Sequence, residues 1–539
     1  MFTYKENLWF SCTGVEMTKV AYFSMEIGLE SSMPTYTGGL GVLAGDTIKS
    51  AADVGIPLVG ITLLPRQRFV QELNGGQTER YELWKPENYM TLDNEHVTVR
   101  LYGRDVGVHA WRYDVEGRKG VVPVYFLDTS GNGNSKDDEN IIPGIYQGNR
   151  LAQEAVLAIG GMKLLERLGY DPHVFHMNEG HSALLTLYLF NKLHDMEKVR
   201  DKCVFTTHSL VAGHDEFNYD EVRDALDGFL PSNVHELVQY PTLHMTRLAM
   251  NSSRAMNGVS KKHGAETRKF YNRDDISSIT NGVHQSWVCP EFAALYDAEL
   301  PGWREDMEKL AGASGIDISK IRNAHRSAKQ VAVDFIQDKT GVKFDMDLPI
   351  VSWARRIVEY KRPWLLFRDP ERLANMFRGK GQVVYSGKTH PDNIEGKRTI
   401  AYILGQLANL RRCGVNAVYV PDYNMETCSV LSSGSDIWLN TPRVPLEASG
   451  TSGMCAALNG VPQLGTLDGW WPEGYQEGET GWAIGDGGSN DDHDAKSLHE
   501  RLSMLLGTDI SNTMRGSIRN GVTHNTDRMV GEYAKVWGV

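Results

Sequence analysis

Short apolar runs alternate with amphipathic stretches through both halves of this 539-residue chain, and few architectures accommodate that alternation. "VAYFSM" (20–25), "PLVGITLL" (57–64), "HVFHM" (173–177) and "CVFTTH" (203–208) recur in the first half. "PIVSWA" (349–354), "VVYSG" (383–387), "AVYVPDY" (417–423) and "DIWLNT" (436–441) recur in the second. Each run has strand length, and most lead into helical stretches such as "GVLAGDTIKSAADVG" (41–55) and "NEGHSALLTLYLFNKL" (178–193). That order predicts βα units wound into parallel sheets. The length requires at least two large domains. A boundary is expected just after "ITNGVHQSWVCPEF" (279–292), where polar helical sequence begins. The expected division is 1–290, 291–515 and a C-terminal helix, 516–539, crossing back onto the first domain. Two Rossmann-like domains then face a central cleft, with ligands at the carboxyl ends of their strands.

The net charge of −12 argues against broad binding of nucleic acid polymers or anionic membranes, while leaving room for a local basic pocket. Six scattered cysteines, at 12, 203, 289, 413, 428 and 455, lack CxxC pairing or metal-ligand spacing, which predicts free thiols, no metal site and a reducing compartment. The N-terminal "MFTYKENLWFSCTGVEM" has no apolar core of signal-peptide length. The expected location is cytoplasmic. The sequence leaves a homo-oligomer open.

Three groups of residues carry candidate chemistry. "TYTGGLGVLAG" (35–45) sets Gly38, Gly39 and Leu40 where a helix begins; such a loop either cradles an anion on open N–H groups or makes a plain turn. "WARRIVEYKRP" (353–363) brings Arg355, Arg356 and Lys361 to the end of a strand, and "SGKTHPDN" (386–393) adds Lys388 after the next. These cations either clamp phosphate oxygens at the cleft or form a solvated face paired with Glu359. "HMNEGHSALL" (176–185) and "TTHSLVAGHDEF" (206–217) place Glu179, His181 and His208 at strand ends facing the cleft, without the neighbours a zinc site needs. No GxSxG elbow or Walker loop supports a hydrolase or a P-loop enzyme.

Together with "AYFSMEIGLESSMP", "SRAMNGVSKKHG", "ITNGVH" and "NTPRVPLEASGTSGM", these segments resemble the α-glucan (glycogen, maltodextrin) phosphorylases, in their short bacterial and archaeal form, over roughly residues 19–485. The resemblance implies an α/β GT-B fold. It implies that Gly39 and Leu40 cradle phosphate and sugar, that Arg356 and Lys361 clamp phosphate, and that Arg355, Tyr423 and Thr451 lie near a cofactor phosphate. The His208 carbonyl and Asn281 would face the sugar, and Glu447, Ser449 and Gly450 would bind its hydroxyls.

One position departs from that pattern. The family carries a lysine after "EASGT" that holds pyridoxal phosphate as an imine; here the residue is Cys455, and a thiol forms no imine. "HSLVAGHD" and "NGVHQSW" are each one residue shorter than the family's loops, and Val444 replaces a usual arginine. Cys455 lies eight residues after Glu447, the spacing of the paired acidic motif in retaining GT-B transferases that use nucleotide sugars. The sequence therefore favours a retaining hexosyltransferase that has no covalently bound cofactor and takes a nucleotide-sugar donor, its nucleoside lying against Cys455. The alternatives are an α-glucan phosphorylase and an inactive glucan- or nucleotide-binding homologue. The partners expected are a small-molecule sugar donor and acceptor.

Overall fold

Five consecutive buried residues, Val20–Ser24, form strand β1 at the centre of a nine-stranded sheet. A strand shielded on both faces cannot alternate apolar and polar residues, which is why such runs read as continuous apolar sequence. The structure is a computed structural model that describes residues 18–539 except 132, 211–214, 232–233, 235–236 and 238–240. Cys12, the N-terminal stretch and residues 211–214 of the shortened "HSLVAGHD" loop lie outside the described residues.

The first half contributes β2 (Leu58–Leu63), β3 (Gln67–Leu73), β4 (Gln77–Leu83), β5 (Thr91–Leu101), β6 (Arg104–Glu116), β7 (Val121–Asp128), β8 (Val174–Asn178), β9 (Cys203–Thr206), β10 (Glu216–Asn218), β11 (Thr242–His244), β12 (Ala255–Gly258) and β13 (Ile276–Ser278). The large sheet runs β13-β12-β9-β8-β1-β2-β7-β6-β5. Strands β13 to β7 are parallel, whereas β6 pairs antiparallel with both β7 and β5. The parallel strands are those the sequence reading expected, and this antiparallel edge is an addition to them. Its signal is local: "HVTVRLYGRDVGVHAW" alternates in polarity on either side of Tyr102 and Gly103, both at positive φ in a tight hairpin. Strands β3 and β4 form a separate hairpin.

The second half builds a six-stranded parallel sheet from β14 (Ile350–Ala354), β15 (Gln382–Ser386), β16 (Ala417–Val420), β17 (Ile437–Asn440), β18 (Gln463–Thr466) and β19 (Gly481–Ile484), in the order β16-β15-β14-β17-β18-β19. Helices Pro290–Glu299 and Ile318–Thr340 separate the two sheets in sequence.

Specific polar contacts hold the halves together. Gln71 Nε2 donates to Gly387 O at 2.8 Å and Gln77 Nε2 to Thr389 O at 2.9 Å, so the β3–β4 hairpin is fastened to the second sheet. Ser260 Oγ donates to Ala448 O at 2.8 Å. The final helix, Thr526–Trp537, packs on helix Gly39–Val54. It ends with Trp537 Nε1 donating to His176 Nδ1 at 2.9 Å, beside the stacked ring of Tyr533. Among the described residues no helix is long and apolar enough to cross a membrane.

Trp537 is 3% exposed. Replacing it by Ala removes its contacts and leaves His176 Nδ1 without its donor. Trp537→Ala is expected to cost about 3–5 kcal/mol of stability, read as an earlier first transition in thermal and urea unfolding.

Candidate active site

A cavity of about 570 Å³ lies between the two sheets, and every residue put forward from the sequence lines it. Arg355 and Arg356 follow β14, Lys388 follows β15, Tyr423 follows β16, and Glu447, Ser449, Gly450 and Thr451 follow β17. From the other side come Gly38, Gly39 and Leu40, Glu179 and His181 after β8, His208 after β9, and Asn281 after β13. Carboxyl ends of parallel strands converge there because a βα turn leaves each strand at the same edge.

The strongest interaction is buried. Lys361 Nζ donates to Glu447 Oε2 at 2.7 Å and Oε1 at 3.0 Å, and Arg355 Nη2 stands 3.1 Å from Oε2. Burial pushes the Glu447 carboxyl up, but Lys361 and Arg355 outweigh it and hold the group below its ordinary value. Burial, and then the neighbouring Arg355 charge, bring Lys361 down to about 7. The backbone N–H of Glu447 donates to Asp468 at 2.8 Å. Arg355 is further tied to Asn440 Oδ1. The sequence reading set Lys361 beside Arg356 in a phosphate clamp and Arg355 at a cofactor phosphate. The structure engages both Lys361 and Arg355 with Glu447 and leaves Arg356 as the exposed cation of the group, with no ion pair among the described residues. Its Nη1 lies 3.7 Å from where a Cβ on Gly38 would stand, so any side chain there would narrow the space between them. Lys388 is paired with Asp422 at 3.3 Å, over the Phe69 ring.

Across the cavity, His208 Nε2 lies 2.6 Å from Asn178 Oδ1, and Asn178 Nδ2 donates to Ser24 Oγ, so Nε2 carries the proton. Burial lowers His208 to about 3, which keeps the ring neutral. The His208 N–H donates to Glu179 Oε2 at 2.7 Å. Burial raises Glu179 to about 8 despite that bond, and its φ of 74° sets a sharp turn at the end of β8. His181 stands 3.5 Å from Asp215, which also receives Arg150 at 2.5 Å. Among the described residues, buried polar atoms of this lining such as Asn281 Oδ1 and Ser449 Oγ have no protein partner, as expected of groups that serve a hydroxylated ligand.

Cys455, 3% exposed, lies on helix Ser452–Leu458 in an apolar cluster that includes Cys428 and Met454. Burial, followed by a hydrogen bond with Cys428, raises its thiol. The lysines that line the cavity, Lys361 and Lys388, are occupied by Glu447 and Asp422. A pyridoxal phosphate bound as an imine does not fit these residues. Among the described residues no group of three or more metal-ligating side chains is arranged to hold an ion.

Sequence reasoning missed Glu26, Tyr146, Arg150 and Asp215, which also line the cavity. Glu26 sits inside the "MEIGLESS" segment already singled out. Arg150 and Asp215 meet across 65 positions, and neither carries a local signal.

Two α/β halves, each built on parallel strands, around such a cleft form the GT-B arrangement. Residues 220–473 match the carbohydrate phosphorylase family and residues 19–280 the starch synthase catalytic domain. The chain is 35% identical to the maltodextrin phosphorylase of Thermococcus litoralis, over 98% of this chain and 71% of that protein. It is 32% identical to a glycogen phosphorylase of Mycobacterium tuberculosis over 91% of this chain and 65% of the relative, just under two thirds of its length. An uncharacterised protein of Methanocaldococcus jannaschii is 30% identical over 96% of this chain and 99% of its own length. The chain belongs to the carbohydrate phosphorylase family.

The Lys361 value of about 7 gives the cavity a pH-dependent appetite for anions. Sulfate does not itself titrate in this range, so its binding reports the protein alone. Between about pH 6 and pH 9, sulfate affinity is expected to fall by about tenfold or more as Lys361 loses its proton, with ionisation of Glu179 acting in the same direction. Calorimetric titration at constant ionic strength measures it; a flat profile shows that the anion does not sense Lys361.

Proposed function

We propose that the protein is a retaining glucosyltransferase of the phosphorylase type, which exchanges a glucosyl unit between the end of an α-glucan and a phosphate group held in the cleft. The observation that carries this reading is Arg356, a cation without a carboxylate ion-pair partner among the described residues, facing the glycine loop across the cavity. Membership of a family that includes maltodextrin and glycogen phosphorylases shifts the balance from the nucleotide-sugar donor favoured by the sequence to inorganic phosphate.

In this reaction a phosphate oxygen forms a bond to the anomeric carbon while the glycosidic C–O bond breaks on the same face. The glycosidic oxygen takes the proton that the phosphate gives up. Arg356 and the open N–H groups of Gly39 and Leu40 stabilise the phosphate charge. Glu447, kept anionic by Lys361 and Arg355, accepts from sugar hydroxyls, and Asn281 Oδ1 and Ser449 Oγ supply further polar partners. The His208 carbonyl stabilises positive charge at the anomeric carbon. No step needs an imine at position 455, and we propose that the reaction proceeds without a covalently bound cofactor.

A second reading, transfer from a nucleotide sugar, is kept because of Cys455. With a small thiol in place of a long amine, the region beside Tyr423 and Cys428 accepts a nucleoside, whose diphosphate would take the same anion site.

Purified protein given maltodextrin and inorganic phosphate is expected to yield glucose 1-phosphate. Turnover is expected to fall about 10²-fold or more in Arg356→Ala. Borohydride reduction should leave the intact mass unchanged. A pyridoxyl adduct on any lysine refutes the cofactor proposal. Absence of phosphorolysis, together with submillimolar binding of a uridine, adenosine or guanosine diphosphate glucose, replaces the first reading by the second.

A further inference from the structure

The glycine loop does not hold its shape through glycine alone. Glu26, 2% exposed at the end of β1, reaches beneath it: Oε2 accepts from Thr37 N at 2.5 Å, Thr37 Oγ1 at 3.2 Å and Gly38 N at 3.1 Å. Its other oxygen accepts from Tyr146 OH at 3.0 Å, and Tyr146 in turn lies under the Arg150 guanidinium at 4.5 Å. The loop is also pinned from behind, because Gly28 N donates to Gly41 O at 2.8 Å. A Cβ on Gly41 would stand 2.9 Å from Glu26 Oε2 and 2.7 Å from Tyr36 Cβ, so the carboxylate and the turn are packed to contact.

These bonds have a consequence for the donors of the loop. The N–H groups of Thr37 and Gly38 are consumed by Glu26 and are closed to a ligand. Val42 N donates back to Gly38 O, which leaves Gly39, Leu40 and Gly41 as the open first turn of helix Gly39–Val54. Gly39 has no atom within 4 Å of where its Cβ would be, so its backbone stands open toward the cavity. Arg356 lies over Gly38 at the same place.

We infer that Glu26 is a positioning residue: its carboxylate fixes the turn before Gly39 so that the open N–H groups of the helix and the Arg356 guanidinium share one anion. It touches neither phosphate nor sugar; it acts through the loop. A side chain of this length with two terminal polar atoms suits the task, since one oxygen accepts from three donors of the loop while the other ties it to Tyr146. The inference rests on the phosphate-bearing substrate proposed above, and the test separates the two.

Wild-type protein, Glu26→Gln and Glu26→Ala are titrated calorimetrically with inorganic phosphate and with a nucleoside diphosphate, and their melting temperatures are compared. In Glu26→Ala the affinity for whichever anion binds is expected to fall about tenfold or more, because the loop loses its template. Glu26→Gln should stay within about threefold, since its carboxamide oxygen still accepts from Thr37 and Gly38 and its NH₂ donates to the Tyr146 oxygen. In phosphorolysis the KM for phosphate should rise while the KM for maltodextrin holds. Wild-type affinity in a folded Glu26→Ala overturns the inference. A Gln variant as weak as Ala does so too, because charge and not loop geometry would then be the cause. If Glu26→Ala does not fold, Tyr146→Phe, which removes only the partner of the second oxygen, should weaken the anion about two- to fivefold, and an unchanged affinity overturns the inference. A wild type that binds the diphosphate and not phosphate refutes the phosphorylase reading and leaves Glu26 to be judged on the diphosphate; a wild type that binds neither removes both.

Discussion

The buried carboxylate of Glu447 is the constraint on which the rest of the cleft depends. It sits on the loop after β17, and its partners Lys361 and Arg355 sit on the loop after β14, so one charge cluster fixes two loops that are neighbours in the sheet but 86 and 92 residues apart in sequence. A buried charge is tolerated only when paired and hydrogen-bonded, and this one has two cations. The surplus of positive charge matters as much as the pairing. Burial first, and then the Arg355 charge beside it, bring Lys361 down to about 7, so a bound anion would favour the proton that burial disfavours.

The opposite wall obeys a different logic, with backbone donors in place of side-chain charge. Glu26 spends two N–H groups of the glycine loop on structure, and the helix start supplies the remainder. Fixed donors of this kind cost little reorganisation when charge develops, which is what a transfer reaction at phosphate needs. The two walls keep register through contacts far from the chemistry. The β3–β4 hairpin is fastened to the loop after β15 through Gln71 and Gln77, and Ser260 holds the carbonyl of Ala448 beside Glu447.

Much of this was legible in the sequence, for a physical reason. Parallel strands deliver their carboxyl ends to one edge, so residues placed just after apolar runs, such as Arg356, Lys388 and His208, must gather there whatever their separation. The choice of partner was not legible. Arg355 and Arg356 are adjacent and chemically alike, and only the backbone direction at the end of β14 sends one to Glu447 and the other to the cavity. Arg150 and Asp215 read as ordinary charges because the loops that bring them together carry no periodic pattern. The antiparallel edge of β5 and β6 announced itself by alternation around Tyr102–Gly103, a signal outweighed by the βα pattern elsewhere.

Cys455 shows how a scaffold of this kind limits its own chemistry. The residue closes the floor of the cavity from a seven-residue helix packed among Met454, Cys428 and Trp470, where a long amine would need an acid or a carbonyl to be neutralised. The thiol needs neither, and it packs into the apolar cluster beneath the site. What faces the cavity is Arg356, the glycine loop, Glu447 and the oxygens of Asn281 and Ser449, which have no protein partner among the described residues. In the phosphorylase reading these groups would bear on the reacting atoms directly, whereas the floor would bear on whatever lies behind the phosphate. On that proposed reading, a chain that keeps the first and remakes the second would carry the same transfer at the anomeric carbon while changing what stands behind the leaving group.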